Sequence, residues 1–351
     1  MDRRTFARPR RGLQVPAAPA PALRALHAAP LRPRLYSAAH QIGVPTVTSH
    51  QLSLRDALLA LAVVFVWGTN FVVIRLGLNV LPPLFFATLR FTFVLLPLVF
   101  ILPRPAASWG NLAFYGLAIG LMQFGLLFIA MHHYISPGLA SLVVQLQVFF
   151  TIALSMWRTG ERLRPHHVAA LVLALAGMGV IAAHNGEGAT IVGLVLVLGA
   201  ALGWALGNQA GREATQDGRK INMLAYVVWS AMFAAPPLLL LSLLLEGPAA
   251  ILAGLHHAGP LTWAAVIWQS AGNTMFGYGV WAILLARYPA ATVAPLSLLV
   301  PVFGFGASAL LLGEPLPGWK LGATALIMAG LAVNLLWRPR VPKACMTGEP
   351  N

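Results

Sequence analysis

Ten long apolar stretches follow one another along the chain, and only short loops separate them. Each is roughly 17 to 25 residues long, enough for a helix to cross about 30 Å of hydrocarbon. The stretches are Ala57 to Gly77, Pro83 to Leu102, Asn111 to His132, Pro137 to Trp157, His166 to Ala183, Thr190 to Ala210, Ile221 to Leu245, Leu261 to Leu285, Thr292 to Leu312 and Trp319 to Trp337. We predict an all-α integral membrane protein with ten transmembrane helices, whose functional site lies within the bilayer or at its faces.

Composition excludes a water-soluble fold. Only 9% of the 351 residues are charged and 58% are hydrophobic, whereas about 25% of the residues of a soluble domain are charged. The single cysteine, Cys345, excludes an internal disulfide and a thiol metal site. All nine acidic residues fall outside the predicted span interiors, which leaves a membrane enzyme without a buried carboxylate pair. We therefore expect neither an enzyme nor a bound cofactor or metal.

The positive charges are concentrated in loops and in the N-terminal region. Of 23 Lys and Arg, eight lie in residues 1–50, and only Arg90 lies well inside a span. If the N-terminus is cytoplasmic, twelve of the others fall on the cytoplasmic side and only Arg75 and Lys320 on the opposite side. This bias predicts cytoplasmic termini. The same distribution argues against nucleic-acid binding, despite the net charge of +14.

An internal repeat divides the apolar part of the chain. The Gly-Glu-x-Leu pattern of residues 160–163 recurs at 313–316, an offset of 153, while Trp67 and Trp204 correspond at an offset of 137. We predict two five-span repeats, residues 52–186 and 187–337, the second inverted because five is odd. Residues 1–51 form a basic, Pro/Ala-rich extension that we expect to be dispensable or, alternatively, to be a targeting arm, and residues 338–351 form a cytoplasmic tail.

Polar side chains within the spans are the candidate substrate-binding residues. Trp67 precedes Asn70 by three positions and Trp204 precedes Asn208 by four, so each pair shares one helix face. An amide beside an aromatic ring suits a zwitterion, because the amide can bond a carboxylate and the ring face can meet an ammonium. Hydrogen bonding between helices is the structural alternative. The further candidates are Gln123, Gln145, Gln269 and Asn273.

Arg90 is the remaining candidate, about 10 Å from the end of the second span. A guanidinium at this depth costs about 2.5 to 3.5 kcal/mol on insertion scales. One interpretation is that it pairs with the carboxylate of a substrate. The other is that it reaches towards the membrane surface or bonds neighbouring carbonyl groups.

Four segments resemble the EamA family of the drug/metabolite transporter superfamily, and above all its branch of O-acetylserine and cysteine exporters. They are VVFVWGTNFVVIRLG, PPLFFATLRF, PGLASLVVQLQVFFTIALSMWRTGERL and VAPLSLLVPVFG, and the resemblance extends from Leu52 to Trp337. It implies ten spans, cytoplasmic termini, an inner-membrane location and efflux of cysteine-pathway metabolites. Glu161 and Glu314 match the family's glutamates, whereas residues 1–50 have no counterpart and the second glutamate motif here is GEPL.

The expected function is therefore export of small zwitterions such as O-acetylserine and cysteine by alternating access. Export of other amino acids or of toxic organic solutes is the alternative, and a membrane enzyme or a receptor is more remote. The expected partners are a small zwitterionic substrate and membrane lipid. The sequence gives no oligomeric state.

Overall fold

The computed structural model describes residues 52–159, 164–215, 221–288 and 290–336. Within these ranges the chain forms helices and no strand, which confirms the predicted all-α class. The N-terminal extension 1–51, the tail 338–351 and Glu161 lie outside the described residues.

Nine helices in the described ranges are long and apolar enough to cross a membrane. They are span 1 (Leu54–Leu78), span 2 (Pro83–Phe100), span 3 (Trp109–His133), span 4 (Pro137–Arg158), span 5 (Pro165–Ala183), span 6 (Ile191–Ala214), span 7 (Met223–Glu246), span 9 (Ala294–Leu312) and span 10 (Gly318–Leu336). Several run a few residues beyond the predicted limits, so Asp56, Glu213 and Glu246 lie at helix ends rather than in loops.

The eighth predicted span corresponds to Pro260–Leu285, hereafter span 8. A helix precedes it at Pro248–His257, where the sequence suggested only a loop, and the two are bent by 108° relative to each other. Pro248 begins the short helix after Gly247, whose φ of 84° is readily adopted only by glycine. Together the two helices are long and apolar enough to form one further span.

Several spans depart from regular α-helix. In span 2 the α-helix ends at Leu95, earlier than the predicted Leu102, and Leu98–Phe100 is a 3₁₀ turn. Pro97 explains the early end, because proline lacks the donor N–H and disfavours helical geometry in the residue before it. Spans 3 and 8 contain π-helical segments at Leu117–Gly125 and Trp268–Phe276.

The ninth and fourth spans are interrupted in a similar way. An α-helical turn at Ala290–Val293 precedes span 9, which begins with a 3₁₀ segment at Ala294–Leu298 and continues as an α-helix at Leu299–Leu312. Span 4 has a 3₁₀ segment at Val144–Leu146 between its two α-helical parts. Two pairs of corresponding spans therefore share an irregularity, which is π-helical in spans 3 and 8 and 3₁₀ in spans 4 and 9.

The spans pack in a pattern that repeats between the two halves. Span 2 packs against span 7, span 4 against span 9, and span 5 against span 10. Span 1 packs against spans 8 and 9, just as span 6 packs against spans 3 and 4. When the repeats are exchanged, the contacts of span 1 become those of span 6, and each of the other three contacts maps onto itself. This is the arrangement expected of two inverted five-span repeats.

Small residues allow close approach at these contacts. A Cβ on Gly203 of span 6 would lie 2.8 Å from two backbone atoms of span 3, the carbonyl oxygen of Ala118 and the nitrogen of Gln123. Glycine is therefore needed where span 6 crosses the π-helical segment of span 3.

Polar side chains lie inside the bundle, and apolar ones face outwards. Arg90, Gln123, Gln145, Gln269 and Asn273 are all buried, whereas Leu, Val and Ile dominate the exposed residues of the spans. A soluble protein shows the opposite distribution. An apolar outer surface is suited to contact with the acyl chains of lipids. The protein is therefore a multi-pass membrane protein.

Candidate functional site

A cavity lies between the two repeats at the centre of the bundle. Six of the nine predicted site residues line this central cavity: Trp67, Asn70, Gln123, Gln145, Trp204 and Asn273. Its volume is about 50 Å³, room for a few water molecules, since about 10–15 Å³ holds one. The structure thus brings together residues that are separated by up to about 200 positions in the sequence.

The irregular helical segments position most of the amides of this cavity. Gln123 lies in the π-helical segment of span 3, Asn273 in that of span 8, and Gln145 in the 3₁₀ segment of span 4. A π-helical turn inserts an extra residue and frees backbone groups, and such turns are common at functional sites. Equivalent parts of the two repeats therefore deliver the polar groups to one place.

Trp67 joins the repeats at the wall of the central cavity. Its indole Nε1 donates to the backbone carbonyl oxygen of Asn273 at 3.2 Å. Its ring lies 5.8 Å from that of Tyr278 and 5.2 Å from that of Trp281, centroid to centroid. Trp67 is thus fixed by span 8 on one side and leaves its other side to the cavity.

Arg90 lies behind this wall and is fully buried. Its Nη1 donates to Oε1 of Gln269, and its Nη2 donates to Oγ1 of Thr274 at 2.9 Å. The guanidinium carbon lies 3.6 Å from the centre of the Phe124 ring, a cation–π contact. The side chain therefore bonds neighbouring polar groups of span 8 and does not reach towards the membrane surface.

Two amides connect the Arg90 guanidinium to the central cavity. Nε2 of Gln269 donates to Oδ1 of Asn70 at 2.7 Å. With its amide oxygen turned towards Arg90, Asn273 accepts from Nη1 at 3.1 Å and from Nη2 at 2.9 Å. Arg90 and Gln269 are thus one layer behind the cavity, while Asn70 and Asn273 belong both to the wall and to the Arg90 network.

Asn208, the ninth predicted residue, lies apart from this group. Its Nδ2 donates to Oε1 of Gln147 at 3.1 Å, and Oγ1 of Thr151 lies 3.5 Å away. Both acceptors belong to span 4, so Asn208 ties span 6 to span 4. Asn208 follows Trp204 by one helical turn, which made it a candidate, but it is not among the residues that line the central cavity.

Several residues of the site were not predicted from the sequence. Tyr278, Phe71, Phe124 and Val300 line the central cavity, and Thr274 accepts from Arg90. Tyr278 follows Asn273 by five positions, the spacing of one π-helical turn, so the polar run of residues 268–276 was the available signal. Phe71, Phe124 and Val300 are ordinary apolar span residues that nothing in the sequence singles out.

The electrostatics of the site are those of a cation among neutral groups. Among the described residues, the ion pairs are Arg158 with Glu213, Arg287 with Asp56 and Lys320 with Glu314, and none includes Arg90. The same part of the chain contains no cluster of three or more His, Cys, Asp or Glu side chains that could hold a metal ion. Within the described ranges, the Arg90 charge is therefore balanced by amide, hydroxyl and aromatic groups alone.

Glu314 lies at one end of the bundle and connects the repeats there. Its Oε2 accepts from the backbone N–H of Gly138 at 3.1 Å, and its Oε1 accepts from Nζ of Lys320 at 3.0 Å. Gly138 belongs to the first turn of span 4, so the carboxylate satisfies a free helix N-terminus. Glu314 thus has a structural setting, as a buried ion pair that caps span 4.

Comparisons with known proteins agree with this architecture. A family model described as the EamA-like transporter family matches residues 54–183 and, a second time, residues 191–336. A Salmonella typhimurium protein described as a probable amino-acid metabolite efflux pump is 44% identical over 286 residues, which cover 81% of this chain and 96% of that protein. An Escherichia coli protein with the same description is 41% identical and covers 83% of this chain and 99% of its own length.

A solved crystal structure matches with a TM-score of 0.54 over 82% of this chain and 99% of its own. At 22% sequence identity, this match supports the fold alone.

Proposed function

Because the chain belongs to the EamA-like transporter family, and is thus a membrane transporter rather than an enzyme, we propose that it exports small zwitterionic amino-acid metabolites. O-acetylserine and cysteine are the proposed substrates. The proposed location is the inner membrane, and the proposed mechanism is alternating access. The two relatives described as probable amino-acid metabolite efflux pumps support the substrate class.

The observation that carries this proposal is the composition of the central cavity. Its amides can bond a carboxylate, and the indoles of Trp67 and Trp204 can face an ammonium group. The Arg90 charge lies one layer behind the wall and is connected to it through Asn70 and Asn273. In a low-dielectric interior this charge attracts an anionic group in the cavity and disfavours a solute with only positive charge.

The volume of the cavity favours small solutes over the alternative of bulky toxic compounds. A space of about 50 Å³ holds a few waters, which a compact amino acid can replace. Larger organic solutes would require the walls to move apart.

Alternating access has its own support in the two repeats. The cavity lies between them, and contacts on one side of the bundle have counterparts on the other. A rocking motion that exchanges these contacts would expose the same site first to one face and then to the other.

Counterflow in liposomes tests the substrate. We expect purified protein to exchange labelled O-acetylserine saturably, and cysteine to compete. Cysteamine, which has the ammonium and thiol of cysteine but no carboxylate, should compete poorly. If cysteamine competed as well as cysteine, a carboxylate would not be recognised and the proposed substrate class would be wrong.

Variants of Arg90 test the role of the cation. Arg90→Gln should abolish counterflow, and Arg90→Lys should reduce it in part, because lysine keeps the charge but loses the planar fork. Arg75→Gln is the matched control: Arg75 donates to the carbonyl oxygens of Met131 and His132, away from the cavity. Normal counterflow by well-inserted Arg90→Gln would show that the cation has no role in transport.

A further inference from the structure

A second cavity borders Arg90 and shares Tyr278 with the central cavity. Arg90, Tyr115, Ser230, Thr274 and Tyr278 are among its lining residues, which come from spans 2, 3, 7 and 8. Its volume is about 10 Å³, close to the space of about 10–15 Å³ that holds one water-sized particle. No relative or family description assigns a role to this place.

Two polar atoms of the residues that line the second cavity have no hydrogen-bond partner among the described residues. They are Nε of Arg90 and Oγ of Ser230. Both residues are almost completely buried, with 0% and 1% of their surface exposed. Buried donors without a partner are rare, and each requires an explanation such as a bound ion or water.

The charge balance indicates which particle fits. The other nitrogens of Arg90 bond neutral acceptors, and no carboxylate in the described ranges pairs with it. A water molecule would bond the two unpartnered atoms but leave the positive charge uncompensated in a low-dielectric interior. An anion would accept from the N–H and the hydroxyl and would offset part of the guanidinium charge, while Nη1 and Nη2 still face the amides next to the central cavity.

We infer that the second cavity binds a monatomic anion of the chloride class between the Arg90 guanidinium and the Ser230 hydroxyl. The cavity is too small for an amino-acid carboxylate with its substituents, so the anion is not the transported solute. The hydroxyl-bearing side chains of Tyr115 and Tyr278 line the same space and supply two further donors. The site is independent of which solute the central cavity takes.

Anion-dependent stability of the purified full-length protein tests the inference. Ligand binding to the folded state raises the midpoint of thermal unfolding in a saturable manner. We expect chloride and bromide, at constant ionic strength, to raise this midpoint relative to gluconate, which is too large for the second cavity. A midpoint that is equal in chloride and gluconate would mean that the cavity holds water only, and would overturn the inference.

Matched serine variants separate binding from general salt effects. Ser230→Ala should raise the half-saturating chloride concentration about tenfold, because a hydrogen bond to an ion commonly contributes that much. Ser308→Ala is the control: Ser308 is also fully buried with an unpartnered hydroxyl, but does not line the second cavity. Equal chloride dependence in the two variants would exclude the site. Both outcomes are read from thermal unfolding, so the test does not depend on transport activity.

Discussion

Trp67 and Asn273 are joined across the two repeats by a hydrogen bond of 3.2 Å from the indole N–H to the backbone carbonyl oxygen. The carbonyl is available because Asn273 lies in the π-helical segment Trp268–Phe276, where the regular α-helical bonding pattern is interrupted. One turn later, Gly277 lies directly against the indole. The absence of a side chain at position 277 thus sets the orientation of Trp67 towards the cavity.

Gly277→Ala is expected to displace Trp67 and impair transport. A Cβ at position 277 would lie 3.1 Å from Cε2 of Trp67 and closer still to Nε1, and such overpacking typically costs about 1–3 kcal/mol. Gly279→Ala is the control on the same helix, because no atom lies within 4 Å of the corresponding Cβ. Initial counterflow rates in liposomes should fall about tenfold for Gly277→Ala only, a change of ~1.4 kcal/mol. Equal rates for the two variants would contradict the packing argument.

The sequence predicts the spans well because each needs only length and hydropathy. It also locates six residues of the central cavity, because polar side chains inside apolar helices are rare and tend to face the bundle interior. The partners of these residues are a different matter. Gln269 follows Arg90 by 179 positions, and no local pattern indicates that the two bond each other.

The differences between the sequence-based expectations and the structure have physical causes as well. Asn208 shares a helix face with Trp204, but whether a face meets the cavity or a neighbouring span depends on how helices pack, and span 4 supplies Gln147 as its partner. A regular period of 3.6 residues does not predict π-helical turns. It places Tyr278, five positions after Asn273, on a different face of the helix. The helix at Pro248–His257 is too short to register as a span.

Gln269→Glu should neutralise the site without unfolding the protein. Oε1 of Gln269 already accepts from Arg90, so a carboxylate there forms an ion pair in nearly the same geometry. Asn70, which accepts from Nε2 of Gln269, can turn its amide and donate to the second carboxylate oxygen. The Arg90 charge would then no longer attract the carboxylate of a solute in the cavity. We expect the KM for O-acetylserine to rise about tenfold or more, ~1.4 kcal/mol, while the midpoint of thermal unfolding is not lowered.

Gln269→Met is the matched comparison for this variant. It removes the amide but leaves the Arg90 charge intact, so the KM should change less than in Gln269→Glu. A larger loss of affinity in Gln269→Met would show that the amide itself, and not the charge behind it, is the important group.

The proposed orientation of the chain can be checked with alkaline phosphatase fusions, which are active only outside the cytoplasm. Twelve basic residues in the loops on one side and two on the other favour cytoplasmic termini. A fusion after Gly186, between spans 5 and 6, should therefore be active. A fusion after Asp217, between spans 6 and 7, should be inactive, and the reverse pattern would invert the topology.

Glu314 should contribute more to stability than Glu246. Both belong to the second repeat and cap a span of the first, Glu314 span 4 and Glu246 span 2. Glu246 accepts from the backbone N–H groups of Leu84 and Phe85 at 2.6 and 3.1 Å, with no ion-pair partner in the described ranges. Glu314 caps Gly138 and also pairs with Lys320, which is only 2% exposed. Removing one partner of a buried ion pair costs about 3–5 kcal/mol, whereas losing a cap costs ~1 kcal/mol.

Three variants measured by thermal unfolding in detergent distinguish these contributions. Glu314→Gln should lower the midpoint much more than Glu246→Gln, because Lys320 then remains charged in a buried position. The double variant Glu314→Gln/Lys320→Met removes both charges and should recover most of the loss. If the double variant were no more stable than Glu314→Gln, the helix cap on Gly138 rather than the ion pair would be the main contribution of Glu314.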